Sequence, residues 1–545
     1  MPALLMAFFF APQGTAAAHH DMILVGDPIL EDIRFVSLEA GRPVLSFTLP
    51  LSPHEVRTFL DSIDEGLLSP PAREAFFRIE RRLALRPPRI SFSSSDFSVF
   101  VDVNATIEAR ARANRNVSWH PRYPAIPPVV SFPVRFFVGD FLQLYLEPVW
   151  RMAPAHYRNV GSFGLNAPMD YFQYDHLMPH RAFLAAGGRL WNFQIGRDRL
   201  CWGTGRTGNL SVSDNPDFYD FMRFSFFTRF FKYSSLVVQM PLDIRHGLLC
   251  DTVFPGSELP PNHLYRTTNR YFYLHRLDFM LFNSLTIGIS EGILVGNSPL
   301  ELRFLNPMMV FHQLIPWVDY ARWGNRDTGK DGHMAGPFFS VEANWNIVNS
   351  LSVYGQFVMT QYELPGELEG VEYPSPDGLG FLFGIQYGHS FDTWASVFFF
   401  EFVHTSPFLY MHPSPFASFI HMRILLFDPP HYAFVGFPRD RMVFTLGARF
   451  FRDDALSVSG VLSLLFNGER DIAYDWRPGR PARDERTPTG VAERQVVGTV
   501  SAGWRPLPFL ALSGSLTGIH SRNNRHVSGA NETGLQAAFS VGVSF

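Results

Sequence analysis

The sequence has little of what marks helical membrane proteins, nucleic-acid-binding proteins or disulfide-rich proteins. After roughly its first dozen residues it has no uninterrupted run of about 20 apolar residues, which excludes a bundle of membrane-spanning helices. Its 46 Lys and Arg nearly balance 50 Asp and Glu, so a net charge of -4 provides no long-range attraction for nucleic acid. The two cysteines, Cys201 and Cys250, lack the spacing of a zinc or redox motif and are either free or bridged across neighbouring strands.

Sequence motifs of catalysis are also missing. There is no GxSxG elbow, HExxH helix or phosphate-binding loop, and the 19 histidines are scattered. His404, Ser406, Asp428 and His431 lie in one stretch, but a triad built from them requires a choice among many His and Ser residues. We therefore predict that the protein is not an enzyme and needs no cofactor or metal.

Aromatic residues, in contrast, are abundant. With 55 Phe, 18 Tyr and 10 Trp the chain is 15% aromatic, yet its mean hydropathy is +0.00 and 18% of its residues are charged. Apolar side chains are thus diluted evenly with polar ones. A barrel that alternates lipid-facing apolar residues with lumen-facing polar residues has this composition, with its aromatics concentrated at the two membrane interfaces. The composition favours a mainly β protein, a large antiparallel transmembrane β-barrel.

The first 18 residues have the pattern of an export signal. An apolar core over residues 3–11 is followed by the small residues Ala16, Ala17 and Ala18, which suits cleavage before His19. The usual Lys or Arg is absent from the first positions. We assign residues 1–18 to a signal peptide.

Residues 19–92 are predicted to form a small helical segment on the periplasmic side. Asp27 and Gly41 mark the two ends of a first helix, Ser52 and Glu55 form a capping box for a second, and Ser69 caps a third. Three short helices bury little surface alone, so we expect them to dock on the barrel. The arginines of the third helix are expected to form a solvated face: Arg73, Arg78, Arg81 and Arg82.

From residue 93 to the end the apolar period changes from helical to two. Segments that begin at residues 97, 351, 456 and 510 alternate apolar with polar side chains, as strands with one lipid-facing side do. Dividing the barrel region by about 25 residues per strand with its loop predicts about 16–18 strands.

The last strand carries the strongest single signal. Leu535 and Ala537 begin an apolar face that ends on the terminal aromatic residue, as in bacterial outer-membrane barrels. We expect this face to meet outer-membrane lipid and to be bound by the barrel assembly machinery through Phe539, Val541, Val543 and Phe545.

Loops counted backwards from a periplasmic C-terminus alternate long and short as far as about residue 428. Before that point two long segments, residues 364–377 and 405–415, both fall where short turns are required. The predicted strand order therefore misses or merges one strand before about residue 428.

Two stretches resemble a known family, the capsule assembly protein Wzi family. The first, residues 196–215, contains Trp202, Gly203, Gly205, Leu210, Ser213 and Asn215 in the family's order. The second contains Ser290, Glu291, Asn306, Pro307 and His312. The opening VGDPILEDIRFVSLEAG is similar to the start of the family's helical region. We favour structural roles for these residues, with the glycines at tight bends and Trp202 as an interfacial anchor.

The resemblance implies an outer-membrane barrel plugged by helices that binds or helps to anchor a capsule-like surface polysaccharide. Sugar stacking on aromatic side chains and hydrogen bonds from Arg would supply the affinity. The charged loop 467–494 is one candidate site, with Tyr474, Trp476, Arg477 and Arg480. The alternative is a porin-like diffusion channel, which would not need the helical segment.

Overall fold

The computed structural model describes residues 19–545 apart from 85–89, 95, 121–122, 178, 242–268, 297–298, 312–334, 363–375, 412–416, 424–430, 454, 471 and 473–484. The predicted signal peptide lies outside the described residues. Within the described ranges, no helix is long and apolar enough to cross a membrane.

Eighteen antiparallel strands of the described chain form one closed ring. Each strand pairs with the next along the chain, and the last pairs with the first from Ser544 opposite Asn104 to Gln536 opposite Arg112. The predicted barrel is confirmed, at the upper end of the expected strand number. The strands are β1 (Phe97–Val101 and Asn104–Arg112), β2 (Val130–Ser131 and Val134–Val138), β3 (Leu142–Glu147 and Val149–Trp150), β4 (Arg181–Gly187), β5 (Trp191–Asp198), β6 (Tyr219–Phe227), β7 (Phe231–Gln239), β8 (Arg270–Leu281), β9 (Leu285–Gly296), β10 (Ala335–Val348), β11 (Leu351–Gln361), β12 (Gly378–Phe391), β13 (Trp394–Thr405), β14 (Arg441–Arg452), β15 (Leu456–Asn467), β16 (Glu493–Leu507), β17 (Leu510–Arg522) and β18 (Asn531–Ser544).

Short turns join the strands at one end of the ring and long loops join them at the other. β12 and β13 are connected by Asp392 and Thr393 alone, and both long segments that upset the predicted alternation lie at the loop end. The prediction merged these two strands because a two-residue turn inside an aromatic-rich stretch leaves no break in the pattern. In outer-membrane barrels the short turns face the periplasm and the long loops face outward.

Side chains alternate between lumen and exterior as the period of two predicts. In β11 the polar Ser352 and Gln356 are buried in the lumen, whereas Leu351 and Phe357 point outward. In β18 the outward face is apolar, and its Phe539 is exposed on the outer wall. Such an apolar outer face requires lipid around it.

The three predicted helices are present at the turn end: α1 (Ile29–Glu39), α2 (Pro53–Leu60) and α3 (Pro70–Leu83). The capping box of Ser52 and Glu55 forms as predicted, and Gly41 takes the left-handed conformation just after α1. The expectation of a solvated arginine face on α3 was wrong for Arg78 and Arg82. Arg78 pairs with Asp32 of α1, and Arg82 pairs with Asp21 and Asp27.

The helical segment packs inside the ring against one part of the wall. The backbone N–H of Ser350 donates to the carbonyl of Leu38, and the Asn346 amide donates to the carbonyl of Ser37. At the start of α3 the Ser69 hydroxyl lies 2.9 Å from that of Ser390 on β12. These contacts fix the segment to the inner face of β10–β12 near the turns.

Candidate functional site

The loop that joins β5 to β6, residues 199–218 and here called L3, turns inward and crosses the lumen. Its short strand Cys201–Trp202 pairs with Thr48–Leu49 of the helical segment, and Trp202 is fully buried. The expectation that Trp202 anchors the barrel at a membrane interface was wrong, because L3 carries it into the lumen core. The other predicted residues of this stretch belong to the same loop: Gly203, Gly205, Leu210, Ser213 and Asn215.

Two wall carboxylates hold L3 in place. Glu342 of β10 accepts hydrogen bonds from the backbone N–H and the hydroxyl of Thr204, at 2.8 Å and 3.0 Å. On the other side, Glu401 of β13 accepts from the backbone N–H groups of Arg206 and Thr207, at 2.7 Å and 2.9 Å. Because both carboxylates are buried and occupied by loop donors, these charges anchor the loop and do not line a pore.

The glycines of L3 allow its tight path. Gly203 has a φ of +132°, and a Cβ there would collide with the side chains of Gln356 and Asn209. Those two side chains bond to each other at 2.6 Å, and Gln356 also accepts from the backbone N–H of Leu210. A larger residue at position 203 would therefore displace a buried amide pair.

The helical segment also reaches L3 through charged groups. Glu31 of α1 pairs with Arg206 at 2.9 Å, and Arg34 donates to the carbonyl of Thr204 at 3.0 Å. Arg206, Arg34 and Arg449 outweigh the opposing effect of partial burial and lower the pKa of Glu31 to about 2. Glu31 is therefore ionised at neutral pH and ties the helices to the loop.

A third layer closes the lumen above L3. The loop at residues 406–440, here called L7, contains a hairpin of Ile420–Arg423 and His431–Phe434 that packs its apolar side on L3. Arg423 of this hairpin pairs with Asp175 and Asp217, one from each of two neighbouring loops. Burial opposes ionisation of Asp175, but His180 and Arg423 hold its pKa below the usual value.

Beside L7, a cleft of about 590 Å³ opens at the loop end of the barrel. Arginines and aromatic side chains line it, and no Asp or Glu does so among the residues that the structure describes. Its cationic lining residues are Arg112, Arg115, Arg158, Arg441 and Arg525, and its rings include Trp119, His120, Tyr157, His431 and Tyr432. This is a strongly positive surface, suited to an anionic ligand with apolar ring faces.

A buried arginine lies behind two of the rings that line this cleft, Tyr157 and Trp119. Arg110 of β1 is 2% exposed, and its Nη2 donates to the carbonyl of Tyr157 at 3.2 Å. Its Nε and Nη1 have no hydrogen-bond partner within the described part of the chain. The guanidinium groups of Arg110 and Arg112 lie 4.9 Å and 4.8 Å from the Trp119 ring. Arg110 therefore adds positive charge behind the two rings and does not itself face the cleft.

The second predicted block lies away from this cleft. Ser290 is buried on the lumen face of β9, whereas Glu291 points to the outer side of the same strand. Asn306 and Pro307 follow a short helical turn, and Phe304 of that turn packs against outward-facing residues of β7–β9. His312 lies outside the described residues. The structure therefore does not bring the two predicted blocks together into one site.

Comparison with known families decides the affiliation of the chain. The model of the capsule assembly protein Wzi family matches residues 128–418, more than half of the sequence. The chain belongs to the capsule assembly protein Wzi family. Within this family's fold the match extends from β2 to L7 and includes L3.

Solved structures agree with the fold of this Wzi-family barrel. Wzi of Escherichia coli, an outer-membrane protein, superposes with a TM-score of 0.57 at 14% identity, over 96% of this chain and 99% of that chain. OccK3 of Pseudomonas aeruginosa gives a TM-score of 0.38 at 10% identity, over 82% of this chain and 95% of that chain, which is too low to bear on the fold. No curated protein matches the sequence. The protein is an outer-membrane β-barrel, and its loop end faces the cell exterior.

The cleft of this Wzi-family chain was not predicted from the sequence, which placed the candidate glycan-binding residues in the loop 467–494. The predicted glycan-binding residues Tyr474, Trp476, Arg477 and Arg480 lie outside the described residues, as does Cys250. Cys201 lies in L3 as a free thiol with respect to the described residues, and burial raises its pKa to about 11. A usable signal for the cleft was present, because alternation in β1 puts Arg110 and Arg112 on the same lumen face.

Proposed function

We propose that this barrel binds an acidic surface polysaccharide in the arginine-lined cleft at its outer end. The observation that carries the proposal is a cleft lined by five arginines and several rings, with no carboxylate among its described lining residues. The E. coli relative of the same fold is described as a carbohydrate-binding β-barrel involved in group 1 capsule assembly. Binding, with no catalytic step, is the role that we assign.

Recognition would combine charge with stacking. Arg115, Arg158 and Arg525 are exposed around the cleft and can form paired hydrogen bonds with a sugar carboxylate. Half-buried rings of Trp119 and Tyr432 offer faces for the apolar side of a sugar. A polymer that repeats the same acidic sugar would gain further affinity from successive weak contacts.

The test replaces the exposed cleft arginines. A chain with Arg115→Ala, Arg158→Ala and Arg525→Ala should lose most binding to an acidic capsular polysaccharide immobilised on a sensor surface. The matched control carries Arg189→Ala and Arg229→Ala, two exposed arginines in turns at the opposite end. Equal loss in both chains, or unchanged binding in the triple variant, contradicts the site. A neutral polysaccharide such as dextran should bind neither chain.

We further propose that the helical segment of residues 19–92 acts with L3 and L7 as a plug. Support comes from the charged contacts that join the three layers, including Arg206 with Glu31. The rival porin-like function predicts steady ion conductance from the intact chain. In planar bilayers the intact chain should be silent, and steady conductance would favour the porin. A chain that lacks only the helical segment should conduct little, since L3 and L7 stay in the lumen.

The C-terminal strand is proposed as the assembly signal. Phe545 exchanges backbone hydrogen bonds with Val103 at 2.9 Å and 3.1 Å, and its ring is half-exposed at the barrel seam. Phe539, Val541 and Val543 continue the same outward face. Deletion of Phe545 should reduce the amount of folded barrel in the outer membrane, as measured by heat-modifiable migration on gels. A matched Phe545→Tyr chain should assemble normally.

A further inference from the structure

One sector of the barrel wall carries lumen-facing side chains that the described part of the chain leaves exposed. The lumen faces of β15–β18 carry small side chains in register: Ser459, Ser501 and Ser515 form one row, and Ser457, Ser513 and Ser540 belong to the next. All six are at least partly exposed inside the ring, and Ala511 and Ser544 are exposed nearer the turns. This hydroxyl-lined compartment therefore opens toward the periplasmic end.

Charged groups on its far side are also in contact with water. Arg449 of β14 pairs with Glu31 of α1 at 3.0 Å, yet their side chains keep 37% and 40% of their surface exposed. Both side chains belong to elements that face the lumen, so their exposed surface faces the interior of the barrel. The ion pair and the serine rows thus bound one hydrated space.

An apolar cluster closes this space below the outer surface. Val117, Val497 and Ile519 pack together and are 4%, 4% and 5% exposed. Val497 and Ile519 occupy one layer of the wall, and Gly534 completes that layer on β18. A Cβ at Gly534 would stand 3.1 Å from Val117, so the glycine provides the room in which Val117 sits. We call Val117, Val497 and Ile519 the apolar seal.

The piece of chain that carries Val117 is fastened by polar contacts. Gln536 of β18 donates to the carbonyl of Ser118 at 2.7 Å and accepts from the backbone N–H of His120 at 2.9 Å. Glu532 accepts from the side-chain amides of Asn114 and Asn116, at 2.7 Å and 2.8 Å. Two side chains of one strand therefore hold residues 114–120 across the mouth of the compartment.

We propose that this compartment is a gated path for small hydrophilic solutes and hydrated ions, shut by the apolar seal and opened when residues 114–120 leave the wall. Hydroxyl rows without a dominant charge suit uncharged polar solutes and give weak ion selectivity. An apolar constriction blocks such solutes by excluding water. The path runs beside the plug and does not require the helices, L3 or L7 to move.

The first experiment makes the seal polar in the full-length chain. Val497→Ser with Ile519→Ser should produce discrete conductance steps in planar bilayers where the parent chain shows none. The matched control is Val358→Ser, a lumen-facing valine of β11 that is equally buried but lies under L3. That control should stay silent, because no hydrated space adjoins it.

The second experiment needs no destabilising change at the seal. In a chain with Cys201→Ala and Cys250→Ala, Ser515→Cys should react with a small water-soluble maleimide at least about tenfold faster than Ser234→Cys, since reactivity follows exposure. Ser234 is fully buried in β7. The proposal is overturned if the folded double variant is silent, if the Val358→Ser chain conducts equally, or if the two cysteines react alike.

Discussion

The lumen faces of β5–β13 and of β15–β18 belong to one ring but are built in opposite ways. The first group carries large or charged side chains that are buried, such as Arg223, Arg276 and Glu401, and each bonds across to the helices, to L3 or to a neighbouring strand. The second carries rows of serine that remain in contact with water. A single chain thus separates a filled sector, which holds most of the plug, from an open sector, whose described serines stay exposed and whose Leu465 lies at the edge of the packing against L7.

The difference shows where the stability of the lumen resides. Lys232 of β7 pairs with Glu55 of α2 in the fully buried interior, and Arg223 donates to the carbonyl of Thr48. A buried ion without a partner is strongly unfavourable, so removal of the plug from each such contact would be strongly destabilising. A serine hydroxyl that faces water carries no comparable free-energy penalty, so a change in what occupies the open sector should affect stability little.

The largest effect is expected from Glu401. Glu401→Ala leaves two backbone N–H groups of L3 and the hydroxyls of Thr207 and Tyr354 without their acceptor. A loss of about 4 kcal/mol or more follows from four unsatisfied donors. Thermal unfolding of the detergent-solubilised barrel, followed by heat-modifiable migration, measures it. Glu401→Gln, which keeps an acceptor, should lose less; equal losses would show that the hydrogen bonds are unimportant.

Acid should weaken the layer above the filled sector. Burial lowers the pKa of His421, in the L7 hairpin, to about 4. The folded state therefore binds a proton at His421 less readily than the unfolded state does. The contribution of neutral His421 to the free energy of unfolding is complete above pH 6.5 and falls by roughly 3 kcal/mol as the pH drops from 6.5 toward 4. Protease cleavage within L7 should rise over that range. His421→Phe should remove most of the pH dependence, and an unchanged profile would exclude this histidine as the cause.

A pair of glycines compares the two sectors directly. At Gly384 of β12 a Cβ would collide with the ring of Tyr354, whereas at Gly542 of β18 its nearest neighbour is the Thr106 hydroxyl at 3.2 Å. Gly384→Ala should cost about 2 kcal/mol through overpacking. Gly542→Ala should cost much less, because a side-chain hydroxyl can move. Equal unfolding temperatures for the two variants would contradict the division into sectors.

The smallest effect is expected in the serine rows. Ser501→Ala and Ser515→Ala remove hydroxyls that face water, so stability should stay within about 0.5 kcal/mol of the parent. The same unfolding assay applies. A larger loss would mean that the open sector is packed after all.

Periodic features were predictable from the sequence. The barrel, its period of two, the three capped helices and the order of loops and turns after β14 all follow from local patterns and are present in the structure. The hairpin of β12 and β13 was missed because its turn has two residues and its flanks are equally aromatic. The cleft could not be predicted because it draws Arg112, Arg158 and Arg525 from three separate loops and strands, whereas the predicted site in loop 467–494 stays a prediction.

By itself, the sequence determined that this chain is an outer-membrane barrel with a helical segment, since alternation, capping and the terminal strand are properties of consecutive residues. Only the tertiary structure decided where the charged residues act. Nothing in the local pattern of their strands marks Glu342 and Glu401 as partners of L3. Both bind this loop because ring closure brings distant strands around it. The open sector was equally hidden, because whether a lumen-facing serine meets protein or water depends on what the rest of the chain places opposite it.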